Sequence, residues 1–342
     1  MDLLPSPEQA EITDSSAAFL RDRLPITRTR ALFEGPTNID ALAWSAAAEL
    51  GWFGLGLPES SGGVGCGLAD EALLFREIGR SLASGPFLSS VLAARVAAFG
   101  GRTDLADEIV GGRPVGSAIA GGIDLLASGV LDGDLLLVDV DAASGLVLVA
   151  TPSAAALVEL GRLADVRAVA GYDPATRLHR AAARQVTPLA IVDVATDPVE
   201  RRGHVLAAAM LTGITEACRD VSSEHAKVRV QFDRPIGVNQ AMKHPCADMA
   251  VHAQLALAQT LFAAIALDEG REDAEFHALS AHLVAHEAAE FASAGTIQVL
   301  GGMGFTFEHD AHLFAKRTHV LGQLFGGTTT QLVRLLELPE AL

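Results

Sequence analysis

Two clusters of residues have the types and spacing that ligand chemistry requires. The first runs Arg229-Val230-Gln231-Phe232-Asp233-Arg234-Pro235-Ile236-Gly237 and continues through Asn239, Gln240 and His244. The second is Gln298-Val299-Leu300-Gly301-Gly302-Met303-Gly304-Phe305. A guanidinium matches a planar fork of phosphate oxygens. Glycine lets a backbone approach a ligand closely, and a carboxamide such as Gln298 hydrogen-bonds beside it. Taken singly, each cluster has a plainer reading. A lone arginine near a helix end is usually a solvated charge, and a lone Gly-Gly-x-Gly is usually a turn.

Glu200 and His204 are titratable residues four apart near the start of a helical stretch. The plainer role for Glu200 is an acidic residue in a first turn, opposing the helix dipole. For His204 it is that of a partly buried structural histidine. His282 and His286 are spaced i, i+4 with Glu290 one turn on, which would put metal ligands on one helix face. His309 and His312 add to the count. A solvated or interface face is the favoured reading of these histidines, and no metal is expected.

These residues need elements to hold them. The chain has 342 residues, half of them hydrophobic, which is long for one core and implies two or three packed units. Residues 1–112 read as helices broken by Gly and Pro. Ser6-Pro7-Glu8 resembles a helix start, and Leu68 to Leu82 is amphipathic. Residues 113–196 change character, with short apolar runs at 135–138, 146–149 and 189–192 that read as strands of a small β-domain. Residues 197–342 are helical again, with long helices expected over Val199 to Gln231, Gln240 to Asp268, Ala274 to Leu300 and Asp310 to Phe325. Four long helices with short connections imply a bundle. The predicted class is α+β, mainly α.

Composition narrows the partners. The formal net charge is -17, with lysine only at 227, 243 and 316; that balance argues against nucleic acid, which needs a basic face. Cys66, Cys218 and Cys246 are scattered and odd in number, so a disulfide framework or zinc site is not expected and a reducing cytoplasm fits. No basic region followed by an apolar core is read at the N-terminus. The apolar run Leu255 to Leu267 is too short to span a bilayer, so no membrane association is expected.

The Arg229 segment resembles the Arg-x-Gln-Phe-Gly-x-Pro-Ile…Gln-Ala-x-x-His signature of the acyl-CoA dehydrogenase family, and the Gln298 segment resembles that family's Gln-x-x-Gly-Gly-x-Gly-Phe. Leu57-Pro58-Glu59-Ser60-Ser61-Gly62-Gly63-Val64-Gly65 and Glu77-Ile78-Gly79-Arg80 resemble its N-terminal domain. The resemblance covers nearly the whole chain and implies the acyl-CoA dehydrogenase fold, FAD and α,β-desaturation of an acyl-CoA. In that family each FAD is shared across a subunit interface, with its isoalloxazine in one protomer and its pyrophosphate and adenine on the neighbour's bundle. Carried over, Arg229 would neutralise the pyrophosphate. Gln231, Phe232, Gln240, Gln298, Gly301, Gly302 and Thr328 would be further cofactor contacts.

The departures carry as much as the matches. In the larger group of the family the catalytic glutamate lies in a Tyr-Glu-Gly-Thr segment, and here Gly326, Gly327 and Thr328 fill that place. In a second group it lies on the first bundle helix, at a position that falls near Gly203, with Glu200 as the fallback about one turn away. The family's middle-domain motifs for the flavin ring are missing; the corresponding stretch is Gly116 to Ile123, no tryptophan occurs after Trp52, and the β-domain reads as shortened. The resemblance is to the short, non-catalytic subunits of actinobacterial enzymes that desaturate steroid side-chain CoA thioesters. It implies an α2β2 assembly with a homologous catalytic subunit and an electron-transferring flavoprotein as acceptor. Two alternatives stay open: a homo-oligomeric dehydrogenase using Glu200 or His204, and a flavin-free scaffold.

Overall fold

The computed structural model describes residues 3–120, 125, 129–140 and 145–339. Part of the Gly116–Ile123 stretch, residues 121–123, lies outside them. The chain begins with helices α1 (Pro7–Arg23), α2 (Ile26–Ala31), α3 (Ala41–Glu49), α4 (Leu68–Arg80), α5 (Phe87–Phe99) and α6 (Thr103–Val110). The expected start at Ser6 is a full capping box. The Ser6 hydroxyl accepts from the Gln9 backbone N–H, and the Gln9 side chain accepts from the Ser6 N–H, satisfying two otherwise unpaired donors.

Strands follow: β1 (Gly116–Ala120), β2 (Leu131–Val138), β3 (Leu146–Ala150), β4 (Ala154–Glu159), β5 (Ala164–Val169), β6 (Leu178–Val186) and β7 (Ala190–Asp193). They form one mixed sheet in the order β5-β6-β2-β1-β3-β4-β7, in which β1 and β3 are parallel and the other neighbours antiparallel. The three apolar runs anticipated from the sequence fall within β2 and β3 and across β7. Period-2 alternation gives the sheet two buried faces. Leu146, Leu148 and Leu157 join the core shared with the helices, while Val147, Val149 and Val158 fill a separate core on the far side.

The second helical part comprises α7 (Val199–Val228), the short strands β8 (Val230–Gln231) and β9 (Arg234–Pro235), α8 (Gln240–Asp268), α9 (Ala274–Leu300), α10 (Ala311–Gln323) and α11 (Gly327–Glu337). Two helix ends differ from expectation. Helix α7 stops at Val228, three residues short of Gln231, because Val230 and Gln231 pair with Pro235 and Arg234 in a two-residue hairpin. The last long helix ends at Gln323, where Phe325 takes a left-handed φ of 58° and breaks the run before α11.

The whole of α8, unlike its apolar run, has the length and hydropathy of a membrane span. It is a bundle helix here, packed against α7 and α9 and burying Met249, Ala253, Ala256, Ala263 and Ala264. Helices α4 and α7 cross backbone to backbone. A Cβ on Gly213 would lie 1.9 Å from the Arg76 carbonyl oxygen, and one on Gly79 would lie 2.1 Å from that of Met210. Only glycine permits this approach, and it locks the N-terminal helices onto the bundle.

Candidate functional site: the bundle end and the cleft

Two hydrogen bonds fix how α7 and α9 lie together. His204 Nδ1 is 2.9 Å from His282 Nδ1, and the Thr296 hydroxyl donates to the Cys218 carbonyl at 3.0 Å; both pairs are separated by 78 residues. A constant offset means the helices run parallel, so their C-terminal ends emerge on one side of the bundle. The Arg229 hairpin follows the end of α7, and Gln298, Gly301 and Gly302 close α9. Helix α8 starts beside them, with Gly237 packed on Ala226, which brings Gln240 to the same end.

This end is open. Arg229, Gln231, Gln240, Gln298, Gly301 and Gly302 are exposed, and Phe232 at the hairpin tip is 94% exposed. Phe232 and Asp233 have φ of 53° and 61°, the left-handed pair that a two-residue hairpin demands. Among the described residues Arg229 has no carboxylate partner, in a chain of net charge -17. A Cβ on Gly301 or Gly302 would meet nothing within 4 Å, so both present bare backbone to solvent. A guanidinium without a carboxylate partner among the described residues, at the same bundle end as open backbone, suits a phosphate-bearing group.

Thr328 stands apart from this set. Its hydroxyl lies 3.3 Å from His286 Nδ1, and His286 precedes the end of α9 by fourteen residues, roughly 20 Å of helix. The structure thus does not bring Thr328 together with the other anticipated contacts.

A second feature lies between the sheet and the helices. A cleft of about 550 Å³ is walled by β1, β2 and β3 on one side and by residues of α5, α7, α10 and α11 on the other. Its lining is mostly apolar, with Glu200, Arg334, Asp139 and Arg317 among the charged exceptions. Glu200 is 6% exposed, and Arg334 Nη1 donates to both its oxygens at 2.8 and 2.7 Å. Burial pushes the Glu200 carboxyl up, and the Arg334 charge opposes the shift.

His204 is wholly buried, 3.9 Å from Glu200. Burial, with His282 alongside, holds it well below the usual histidine range; His282 is pushed down to about 4 by its own burial. Both rings are therefore neutral near pH 7.

The two glycines flagged in the sequence meet at this cleft through Phe325. A Cβ on Gly203 would lie 2.4 Å from Phe325 Cζ, and the ring also packs 5.3 Å from His204. Gly326, at φ 110°, follows at once. Sequence reasoning did not anticipate Phe325 or Arg334 as cleft residues. Their partners, Gly203 and Glu200, lie more than a hundred positions away, and no local pattern joins them.

Helices flanking a seven-stranded sheet, a bundle end bearing an exposed arginine and a cleft against the sheet together make a recognisable class. The acyl-CoA dehydrogenase N-terminal domain model matches residues 6–103, and the acyl-CoA dehydrogenase C-terminal domain model matches residues 200–336. The acyl-CoA dehydrogenase IpdE2 of Mycobacterium tuberculosis is 32% identical over 337 residues, covering 97% of this chain and 98% of that protein. Among solved structures, the Tcur3481-Tcur3483 steroid ACAD, solved as a variant, superposes with a TM-score of 0.85 at 24% identity, covering 96% of this chain and 97% of that one. The ChsE4-ChsE5 complex of Mycobacterium tuberculosis gives 0.81 at 22% identity, covering 99% of this chain and 100% of that one. The chain belongs to the acyl-CoA dehydrogenase family.

Proposed function

We propose that this chain is one subunit of a heteromeric, FAD-dependent acyl-CoA dehydrogenase that desaturates an acyl-CoA thioester, a steroid side-chain CoA among the candidates. It would work in the cytoplasm as an α2β2 assembly with a homologous catalytic subunit and pass electrons to an electron-transferring flavoprotein. The observation that carries the reading is an asymmetry. The bundle end that carries Gln298, Gly301 and Gly302 also keeps an exposed Arg229 with no carboxylate partner among the described residues. In the cleft of the same chain, glycines 203 and 326 stand where the resemblance would put the family's base, with the Phe325 ring on Gly203.

FAD held in that assembly would supply the acceptor for the hydride of the β-carbon. Arg229 would neutralise the pyrophosphate of the flavin seated in the partner subunit, and Gln231, Gln240 and Gln298 would donate or accept at its polar edges. Bare backbone at Gly301 and Gly302 would let the cofactor lie close, with Phe232 packing across the interface. The partner would supply the glutamate that takes the α-proton. Glu200 in this chain would hold Arg334 rather than act as a base, because both its oxygens are engaged.

The names of two fold neighbours support a two-subunit arrangement, each pairing two different chains in one enzyme or complex. Turnover by the co-expressed complex tests the reading. Glu200→Gln in this chain should leave turnover per intact complex within about twofold. Arg229→Ala should lower it unless excess flavin is added, and the lone chain should be inactive. Loss of turnover in the Glu200→Gln complex would instead make Glu200 the base.

A further inference from the structure

His282 and His286 share one helix, but their rings serve different surroundings. His282 lies 3.1 Å from the Leu321 carbonyl through Nε2 and faces His204 and Gln331 through Nδ1. His286 faces the other way, toward Glu290 of its own helix and His319 of α10. Glu290 Oε1 lies 3.6 Å from His286 Nε2 and 3.3 Å from His319 Nδ1. One ligand atom from each of the three lies within 4.8 Å of the others.

We propose that His286, Glu290 and His319 bind a divalent transition-metal ion, with zinc as the type case, joining α9 to α10. A tetrahedral zinc with bonds of about 2.0–2.2 Å holds neighbouring ligands roughly 3.3–3.5 Å apart, close to the two separations observed. The chemistry of the donor set, two imidazoles and one carboxylate, is that of an open zinc site with a position left for water. Glu290 and His319 have half-exposed side chains, 45% and 55%, so an ion can reach the site from solvent.

His286 supplies the independent support. It is only 8% exposed, yet its Nε2 has no hydrogen-bond partner among the described residues. A buried nitrogen without a partner calls for an explanation, and an ion supplies one. Its other nitrogen is placed as a metal-bound histidine requires. With the Nδ1 proton given to the Thr328 hydroxyl 3.3 Å away, Nε2 keeps its lone pair for the cluster, the outer-sphere arrangement that orients metal-bound imidazoles. Gly322 makes room for this pose, since a Cβ there would lie 2.2 Å from His286 Nε2.

The ligand set therefore differs from the i, i+4 set weighed in the sequence. His282 drops out and His319, from another helix, takes its place. Nothing in the proposed desaturation uses this cluster, so the two readings fail separately.

The test uses the full chain, stripped with a chelator and titrated with Zn²⁺ by calorimetry and with Co²⁺ by visible absorption. One equivalent should bind per chain, and Zn²⁺ should raise the melting temperature. His319→Ala and Glu290→Gln should each weaken binding at least tenfold without lowering the melting temperature of the metal-free protein. Thr328→Val should weaken it about tenfold or more through the outer sphere, and His244→Ala, at the far bundle end, should leave it unchanged. No saturable uptake, or uptake that His319→Ala and Glu290→Gln leave untouched, would mean an adventitious ion only and overturn the proposal.

Discussion

Gly203 and Phe325 occupy one another's space: a Cβ on the glycine would lie 2.4 Å from the phenyl Cζ. Phe325 reaches this position only through a left-handed backbone at φ 58° and ψ 31°. That conformation costs a non-glycine residue on the order of 1 kcal/mol. The ring is then packed against His204 and walls the cleft. A side chain at 203 and the ring at 325 exclude each other. On the proposed function, the same contact that closes the protein around Phe325 leaves no room for a base at position 203.

Introducing a carboxylate at this point should therefore damage the fold before it restores any chemistry. Gly203→Glu should lower unfolding stability by about 1–3 kcal/mol through overpacking. Phe325→Ala in the same chain should recover part of that loss, giving a coupling of about 0.5–3 kcal/mol in a double-mutant cycle followed by urea denaturation. Additive losses would show that the two residues do not compete.

Arg229 makes the opposite case, a residue with little to do for the fold. Exposed and without an acidic partner among the described residues, it should be removable at a stability cost within about 0.5 kcal/mol. A charge-assisted hydrogen bond to phosphate contributes about 1.5–3 kcal/mol. Arg229→Ala should then weaken flavin retention by the co-expressed complex roughly 10- to 100-fold, read by fluorescence of the released cofactor. Equal retention by variant and wild type would remove Arg229 from the cofactor site.

Glu71 gives the fold a pH signature. It is 1% exposed on α4, and its Oε2 has no hydrogen-bond partner among the described residues. Burial pushes its carboxyl up to about 7, against the pull of Arg95 and Arg202. The folded state therefore favours the protonated acid. Its contribution is fully present below about pH 4.5 and is lost as pH rises to about 7. The difference between Glu71→Gln and wild type should grow across that window to about 3 kcal/mol in favour of the amide, measured by denaturant unfolding at pH 4.5, 6 and 8. A pH-independent difference would place the Glu71 carboxyl at its ordinary value in the folded state.

Much of this arrangement was legible in the residues before any coordinates. Apolar periodicity located the four long bundle helices, and Ser6-Pro7-Glu8 marked the first helix start. Helix ends were less legible. Nothing in Val199 to Gln231 marks Val228 as the last helical residue, since the stop is made by hairpin pairing with Arg234 and Pro235. Strands β5 and β6 carry Arg167, Arg180 and Arg184 among exposed residues, so no apolar run announced them. The bundle-end cluster was readable because it is built from two contiguous motifs. The cleft was not, because Phe325 on Gly203 and Arg334 on Glu200 join residues more than 120 positions apart. Thr328, expected with the cofactor contacts, has its hydroxyl 3.3 Å from His286 Nδ1, a pairing that only the packing of α11 on α9 reveals.

The most direct test of the central claim is flavin absorbance per protomer, measured on this chain purified alone and on this chain co-expressed with its nearest acyl-CoA dehydrogenase homologue. A subunit that holds only the neighbour's half of the site should carry no flavin alone and one flavin per two protomers in the complex. One flavin per protomer in the lone chain would contradict the heteromeric reading and return attention to Glu200. No flavin in either preparation would leave a scaffold.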